Sequence, residues 1–420
     1  MSDPAARPSA ADLDARADAP QAGPSAPAVH AGDRSFAAIA AKVRAGEPLD
    51  RDDGVALYRH RDLLGLGVLA NEVRERLHGD RTYFNVNLHI NPTNVCEADC
   101  KFCSFARLTP DMPQAYTMTV EQVRQKLIER AHQPITEVHV VNGLHPGVPF
   151  SYYTDILRGL KEVRPDVHLK AYTAVEIHYF AEKYGMTYEQ VLRALIEAGL
   201  GSLPGGGAEI FADRVRRKIC RDKADAQQWL EVHRTAHRLG LRTNCTMLYG
   251  TVETLEERVE HMLALRELQA ETGGFQTFIP LAFHNEHNDF RKLPEPTGVD
   301  DLRTYAVGRL MLHNIPHIKA YWVMIGVKTA QIALSFGVDD LDGTVQEEKI
   351  YHMAGADTPM ALARAELVRL IREAGRVAVE RDTLYGVRWV DDGAPLPEIR
   401  MDASVPFSGH SGRVQLPVLS

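Results

Sequence analysis

Tyr83-Phe-Asn-Val-Asn-Leu-His-Ile-Asn-Pro-Thr-Asn-Val-Cys96-Glu-Ala-Asp-Cys100-Lys-Phe-Cys103 is the stretch on which the reading of the chain turns. Its first part, Tyr83–Ile90, alternates Asn85, Asn87 and His89 with Val86, Leu88 and Ile90. A period of two is that of a strand with one apolar and one polar face. Pro92 ends the strand, and three of the five cysteines of the chain follow within eight residues. A strand that opens directly into a thiol-rich loop places metal-binding chemistry at its C-terminal end.

Working outward, strand-like runs recur at Glu137–Val141, His168–Tyr172, Arg242–Tyr249, Gln276–Ile279 and Ile318–Met324, with a shorter one at Gly201–Leu203. Helical patterns lie between them at Val120–Ala131, Tyr152–Val163, Glu189–Ala198, Ala224–Leu239, Leu255–Glu271 and Leu302–Leu312. Regular alternation predicts βα units on a parallel sheet, and seven or eight units over about 330 residues predict a closed (β/α)8-type, TIM-like barrel. His139, Lys170, Lys319 and Tyr321 each alternate with apolar neighbours, as the residues of the first strand do. Strands wrapped by helices usually have two apolar faces, so repeated polar residues predict a hollow, ligand-holding lumen.

The barrel is expected over 80–370, after an N-terminal helical segment (34–79) and before a C-terminal extension (371–420). Residues 1–33 hold eleven Ala and five Pro without apolar periodicity, the composition of a disordered tail. A net charge of −8 provides no cationic field for nucleic acid or an anionic membrane. No apolar run reaches the ~18–20 residues that span a bilayer. Five cysteines in 420 residues are too few for a disulfide scaffold, which points to a cytoplasmic enzyme with reduced thiols.

Clustered thiolates suit zinc, copper or an iron–sulfur cluster. Cys220 and Cys245 stand singly and read as small buried apolar residues, although either is an available fourth ligand. Three thiolates on a four-iron cluster leave one iron open to a small molecule. His233 and His237, four apart on one helix, lack the Glu of a zinc-protease motif and read as helix surface. Arg214, Arg216, Arg217 and Lys218 read as a solvated basic run.

The Cys96-x3-Cys100-x2-Cys103 spacing, with Phe102 just before the last cysteine, resembles the cluster motif of the radical S-adenosylmethionine (SAM) superfamily. The resemblance implies one 4Fe-4S cluster on Cys96, Cys100 and Cys103, SAM as a consumed co-substrate, and an external one-electron donor such as flavodoxin or ferredoxin. It implies Phe102 beside the adenine, Asn142-Gly143 presenting backbone to the methionine amine, and Glu176 on the ribose hydroxyls or the methionine group.

Across 80–370 the chain resembles one branch, the aminofutalosine synthases of the futalosine route to menaquinone. The stretches that carry this are Asn85–Asn94, Val175–Ile177, Leu200–Ile210, Phe278–Phe283, Ala320–Gln331, Asp339–Thr344 and Glu347-Glu348. The Gly205–Gly207 run is shared with the sister dehypoxanthine futalosine cyclase. The deazaflavin hydroxyphenyl transferases form the other sister branch. Asn142 replaces a usual Gly and Asn285 a usual Pro.

The branch implies addition of an adenosyl radical to 3-[(1-carboxyvinyl)oxy]benzoate, with rearrangement and decarboxylation, and no dedicated acid–base pair. Such a dianion implies partners at strand ends, for which His145, Gly205, Gly206, Gly207, His284 and Lys328 are candidates. Glu347 and Glu348 lie near the last barrel loop or on a solvated helix face. The alternatives are a sister-branch enzyme or a non-catalytic metal-binding or electron-transfer protein.

Overall fold

The stretch Tyr83–Ile90 forms two strands in line, Arg81–Asn85 (β1) and Asn87–Ile90 (β2), interrupted at Val86. The computed structural model describes residues 35–394, so the tail expected over 1–33 lies outside the described residues. The further strands are Glu137–Val140 (β3), His168–Ala171 (β4), Ser202–Leu203 (β5), Arg242–Tyr249 (β6), Phe275–Ala282 (β7) and His317–Ile318 (β8). Asp340–Gly343 (β9), Val377–Arg381 (β10) and Val387–Val390 (β11) complete the set.

β2 to β8 form one parallel seven-stranded sheet in sequence order. It curls, and the segment Asp340–Gln346, which begins with β9, spans its two edges through isolated bridges. Ala320 N–H donates to Asp340 O at 2.8 Å on one side, and His89 N–H donates to Gln346 O at 2.9 Å on the other. The interruption at Val86 has a physical consequence, because the strand forks there. β2 opens the barrel sheet, while β1 pairs in parallel with both β9 and β10 in a second sheet ordered β11-β10-β1-β9. Residues past 370, read above as an extension, thus supply β10 beside β1 and β11 on the outer side of β10.

Helix starts follow from reciprocal capping boxes, in which a side-chain oxygen takes an unpaired first-turn N–H and the third residue returns the bond. Thr119 with Gln122, Thr173 with Glu176, Asp225 with Gln228 and Thr254 with Glu257 are examples. None of the described helices is long and apolar enough to cross a membrane.

Three expectations are corrected. The strand expected at Ile318–Met324 ends at Ile318, and Trp322–Ile325 is a helical turn whose Trp322 indole N–H donates to Gly343 O at 2.9 Å. A continuous apolar run fits a buried strand or a buried helix equally, and packing decides. His233 and His237 are not helix surface. His233 is fully buried against Trp229, and both rings meet the Thr243 hydroxyl, at 2.9 and 2.7 Å. Arg216 is buried too and bonds the glycine loop, as described below.

Candidate active site

The C-terminal ends of the strands surround a cavity of about 250 Å³. Its wall includes the cysteine loop after β2, Asn142 and Gly143 after β3, Thr173 and Glu176 after β4, and Gly205–Gly207 after β5. Ligand sites at this end of a barrel reflect the way loops there can vary without disturbing the packed core.

The cysteine loop is anchored by backbone bonds at many points. Cys96 N–H donates to Arg107 O at 2.9 Å, Glu97 N–H to Leu144 O at 2.9 Å and Lys101 N–H to Ile219 O at 2.8 Å. Cys96, Cys100 and Cys103 are free thiols, half-buried, and all three line the cavity. Burial pushes the Cys96 and Cys100 thiols up, so metal coordination there would release protons. Gly143 permits the loop to sit where it does, since a Cβ at this position would lie 2.3 Å from the Val95 carbonyl oxygen.

Glu176 closes the adjoining wall. Its carboxylate accepts from Asn142 N–H at 3.0 Å and from the Thr173 N–H and hydroxyl at 2.7 and 2.9 Å. One side chain thus caps its own helix and pins the turn after β3. Burial raises its pKa from the usual 4.5 to about 7, against the opposing pull of the Thr173 and Asn142 bonds. A raised carboxyl means that the folded protein keeps a proton that the unfolded chain has lost. This stabilising contribution is full below about 4.5 and is lost as pH rises through about 7, roughly 3 kcal/mol in all. Glu176→Gln, which retains an acceptor and cannot ionise, is therefore expected to gain stability relative to wild type between pH 5 and pH 8. Chemical denaturation at both pH values checks this, and an unchanged gap would exclude it.

The glycine turn is held from beneath by Arg216. Its guanidinium donates to Ala208 O at 2.5 Å, to Ile210 O at 3.3 Å and to Ala224 O. Gly205 packs backbone to backbone on β6, where a Cβ would lie 2.7 Å from Cys245 Cα. Lys223 bridges this turn to the cysteine loop, pairing with Glu209 and lying 5.4 Å from the centre of the Phe102 ring. Arg216→Met would leave three buried carbonyls without their donor. A loss of about 3 kcal/mol in denaturant unfolding is expected, with a weaker hold on any ligand at the turn.

This geometry has counterparts. Residues 90–265 match the radical SAM superfamily, and residues 272–393 match the CofH/MqnC C-terminal region. The aminodeoxyfutalosine synthase of Thermus thermophilus is 52% identical over 83% of this chain and 94% of that protein. That of Streptomyces coelicolor is 49% identical over 82% and 92%. The chain belongs to the radical SAM superfamily.

A more distant relative is the 5-amino-6-(D-ribitylamino)uracil–L-tyrosine 4-hydroxyphenyl transferase of Methanothermobacter thermautotrophicus, 40% identical over 81% of this chain and 94% of that one. Among solved structures, the [FeFe]-hydrogenase maturase HydG superposes with a TM-score of 0.66 at 16% identity, covering 82% of this chain and 75% of that one. That likeness concerns the fold alone.

Radical SAM enzymes carry an iron–sulfur cluster and use SAM with a reductant, and the residues present here fit both. Three soft donors share one cavity wall, and the close backbone packing that Gly143 and Gly205 permit sets the cysteine loop and the glycine turn around the same cavity. Phe102, Asn142, Gly143, Glu176 and Gly205–Gly207 come together on the same cavity.

The other anticipated anion partners do not reach it. His145 Nδ1 accepts from Gly147 N–H at 2.8 Å in its own turn. The His284 ring bonds Met324 O at 2.8 Å. Lys328 is exposed, since the apolar run before it becomes a helix and turns it outward. Glu347 pairs with Lys126 and Arg130, whereas Glu348 faces the cavity. Lysines 170, 223 and 319 line the wall instead. Of these, Lys170 and Lys319 carried a signal in their polar position within apolar strands. Lys223 carried none, because only the fold brings it across to Phe102.

Proposed function

We propose that this chain is an aminodeoxyfutalosine synthase, joining the adenosyl group of SAM to 3-[(1-carboxyvinyl)oxy]benzoate to give 6-amino-6-deoxyfutalosine, with loss of methionine and carbon dioxide. The reading rests above all on identity of 49–52% to two such synthases over more than four-fifths of the chain, against 40% to the hydroxyphenyl transferase.

In this reading Cys96, Cys100 and Cys103 would hold a 4Fe-4S cluster beside the SAM site. Such a cluster would supply the one-electron reductive cleavage of bound SAM that makes its adenosyl group reactive. The contribution of the protein is position and exclusion. Glu176 fixes the Asn142 backbone on the SAM side. Phe102 and the Gly205–Gly207 turn shape the nucleotide wall. Ile279, Leu281 and Tyr351 line the cavity with apolar surface that keeps water from a reactive carbon. No acid–base pair is required. Flavodoxin or ferredoxin is the expected electron donor.

The test is anaerobic reconstitution with iron and sulfide, followed by reductant, SAM and the enolpyruvyl benzoate. Mass spectrometry is expected to find the adenosyl adduct. Free 5′-deoxyadenosine, with alkylation only of 5-amino-6-(D-ribitylamino)uracil when tyrosine is supplied, would assign the chain to the sister branch.

A further inference from the structure

Two imidazoles in the lumen are left unused by both the fold and the SAM side of the site. His89 on β2 and His139 on β3 stand opposite one another in register, with ring centres 4.5 Å apart. Both line the cavity, and His89 is only 7% exposed. The Nε2 atoms of both are buried without a hydrogen-bond partner among the described residues. Buried histidines elsewhere in the chain spend a ring nitrogen on a protein atom, as His261 does on Thr246 O and His317 on Asp339. A buried polar atom without a partner destabilises the protein, so a pair of them on a cavity wall marks a place where a ligand completes the bonding.

The surroundings indicate what that ligand is. Lys170 is the in-register neighbour of His139 on β4 and pairs with Glu137 at 2.5 Å. Lys319 pairs with Asp342 at 3.0 Å. The charges of the two pairs cancel, yet an ammonium has three N–H donors, so each lysine has donors to spare. Tyr321 lies parallel to His89 with ring centres 6.4 Å apart, and Ile279 and Leu281 add an apolar wall. Surplus N–H donors at the base of an apolar slot suit a carboxylate on a flat ring.

We propose that His89 and His139, flanked by Lys170 and Lys319, bind the ring carboxylate of the aromatic substrate. This rests on the function proposed above. The ring carboxylate is the one retained in the product, so a fixed donor set serves it throughout turnover, whereas the vinyl carboxylate is lost. His89 lies one same-face position below Asn91, on the strand that leads to Cys96. The acid would therefore enter ring carboxylate first, leaving its vinyl carbon toward the cysteine loop.

His89→Phe and His139→Phe keep a flat ring and strand no protein partner, so their melting temperatures are expected to equal or exceed that of wild type. The measurement is equilibrium binding to the SAM-loaded holoenzyme without reductant. The probes are the enolpyruvyl benzoate and 2-phenoxyacrylate, the same molecule without its ring carboxylate. In each variant the Kd for the benzoate is expected to rise about tenfold or more while that for phenoxyacrylate holds within about twofold. His139→Gln, which restores a donor, is expected to recover part of the difference. Equal weakening of both probes, or of neither, overturns the inference even though wild type forms the adduct. Failure of wild type itself to bind the benzoate or to form the adduct removes the functional reading and this inference with it.

Discussion

Alanine at Cys96, Cys100 or Cys103 is expected to abolish adduct formation, by more than about three orders of magnitude, while leaving the fold in place. The magnitude follows from the chemistry, because no side chain of the protein can replace the one-electron step that the cluster supplies, and a thousandfold is only about 4 kcal/mol of barrier. The fold survives because the loop is pinned by backbone bonds from Cys96, Glu97 and Lys101, which alanine retains. Removing the Cys96 or Cys100 thiol also removes a group whose pKa burial pushes up when no metal is bound. Iron content, visible absorption and product should fall together in these three variants. Cys245→Ala is the contrast: that thiol is buried inside β6, with its sulfur 3.5 Å from Thr277 O, so iron and turnover should persist. Full iron loading in any of the three loop variants would contradict the assignment of ligands.

Lys170→Met is expected to show the largest loss of stability, about 3–5 kcal/mol, because it leaves a carboxylate buried without its cation. Glu137 is fully buried on the strand beside Lys170, and its carboxylate also accepts from the Asn85 amide at 3.2 Å. Burial by itself would drive this carboxyl up, and Lys170, Lys319 and Arg381 together hold it well below the usual range. Without Lys170 the balance shifts toward protonation or local opening. The double variant Lys170→Met/Glu137→Gln removes both charges and is expected to regain most of the loss. Urea unfolding of the two single variants and the double variant measures the coupling. Additive losses would mean that the pair does not act as a unit.

Several features were legible from local pattern alone. The alternation of Asn85, Asn87 and His89 with apolar residues marks a two-faced strand wherever it occurs, and the Cys96–Cys103 spacing groups three thiols on one loop within a few residues. Both are short-range signals. The helix Ala174–Tyr184 is absent from the helical patterns read above, although its Thr173–Glu176 capping box is a local signal that could have shown it. β9 was harder to read, since Asp340-Leu-Asp-Gly343 has the composition of a turn. It is a strand because its polar side chains meet buried cations, Asp340 with Arg381 at 2.6 Å and Asp342 with Lys319. A composition rule cannot see a partner that lies dozens of residues away.

The sequence by itself determined the alternating barrel, its polar lumen and the thiol loop at the end of the first strand, because each is written in spacings of two to four residues. Tertiary structure decided which charges face the cavity. It buried His233 and Arg216, turned Lys328 outward, drew Glu347 onto Lys126 and Arg130, and brought Lys223 over Phe102. The reason is that the environment of a charged side chain is set by the elements that pack around it, and those come from distant parts of the chain.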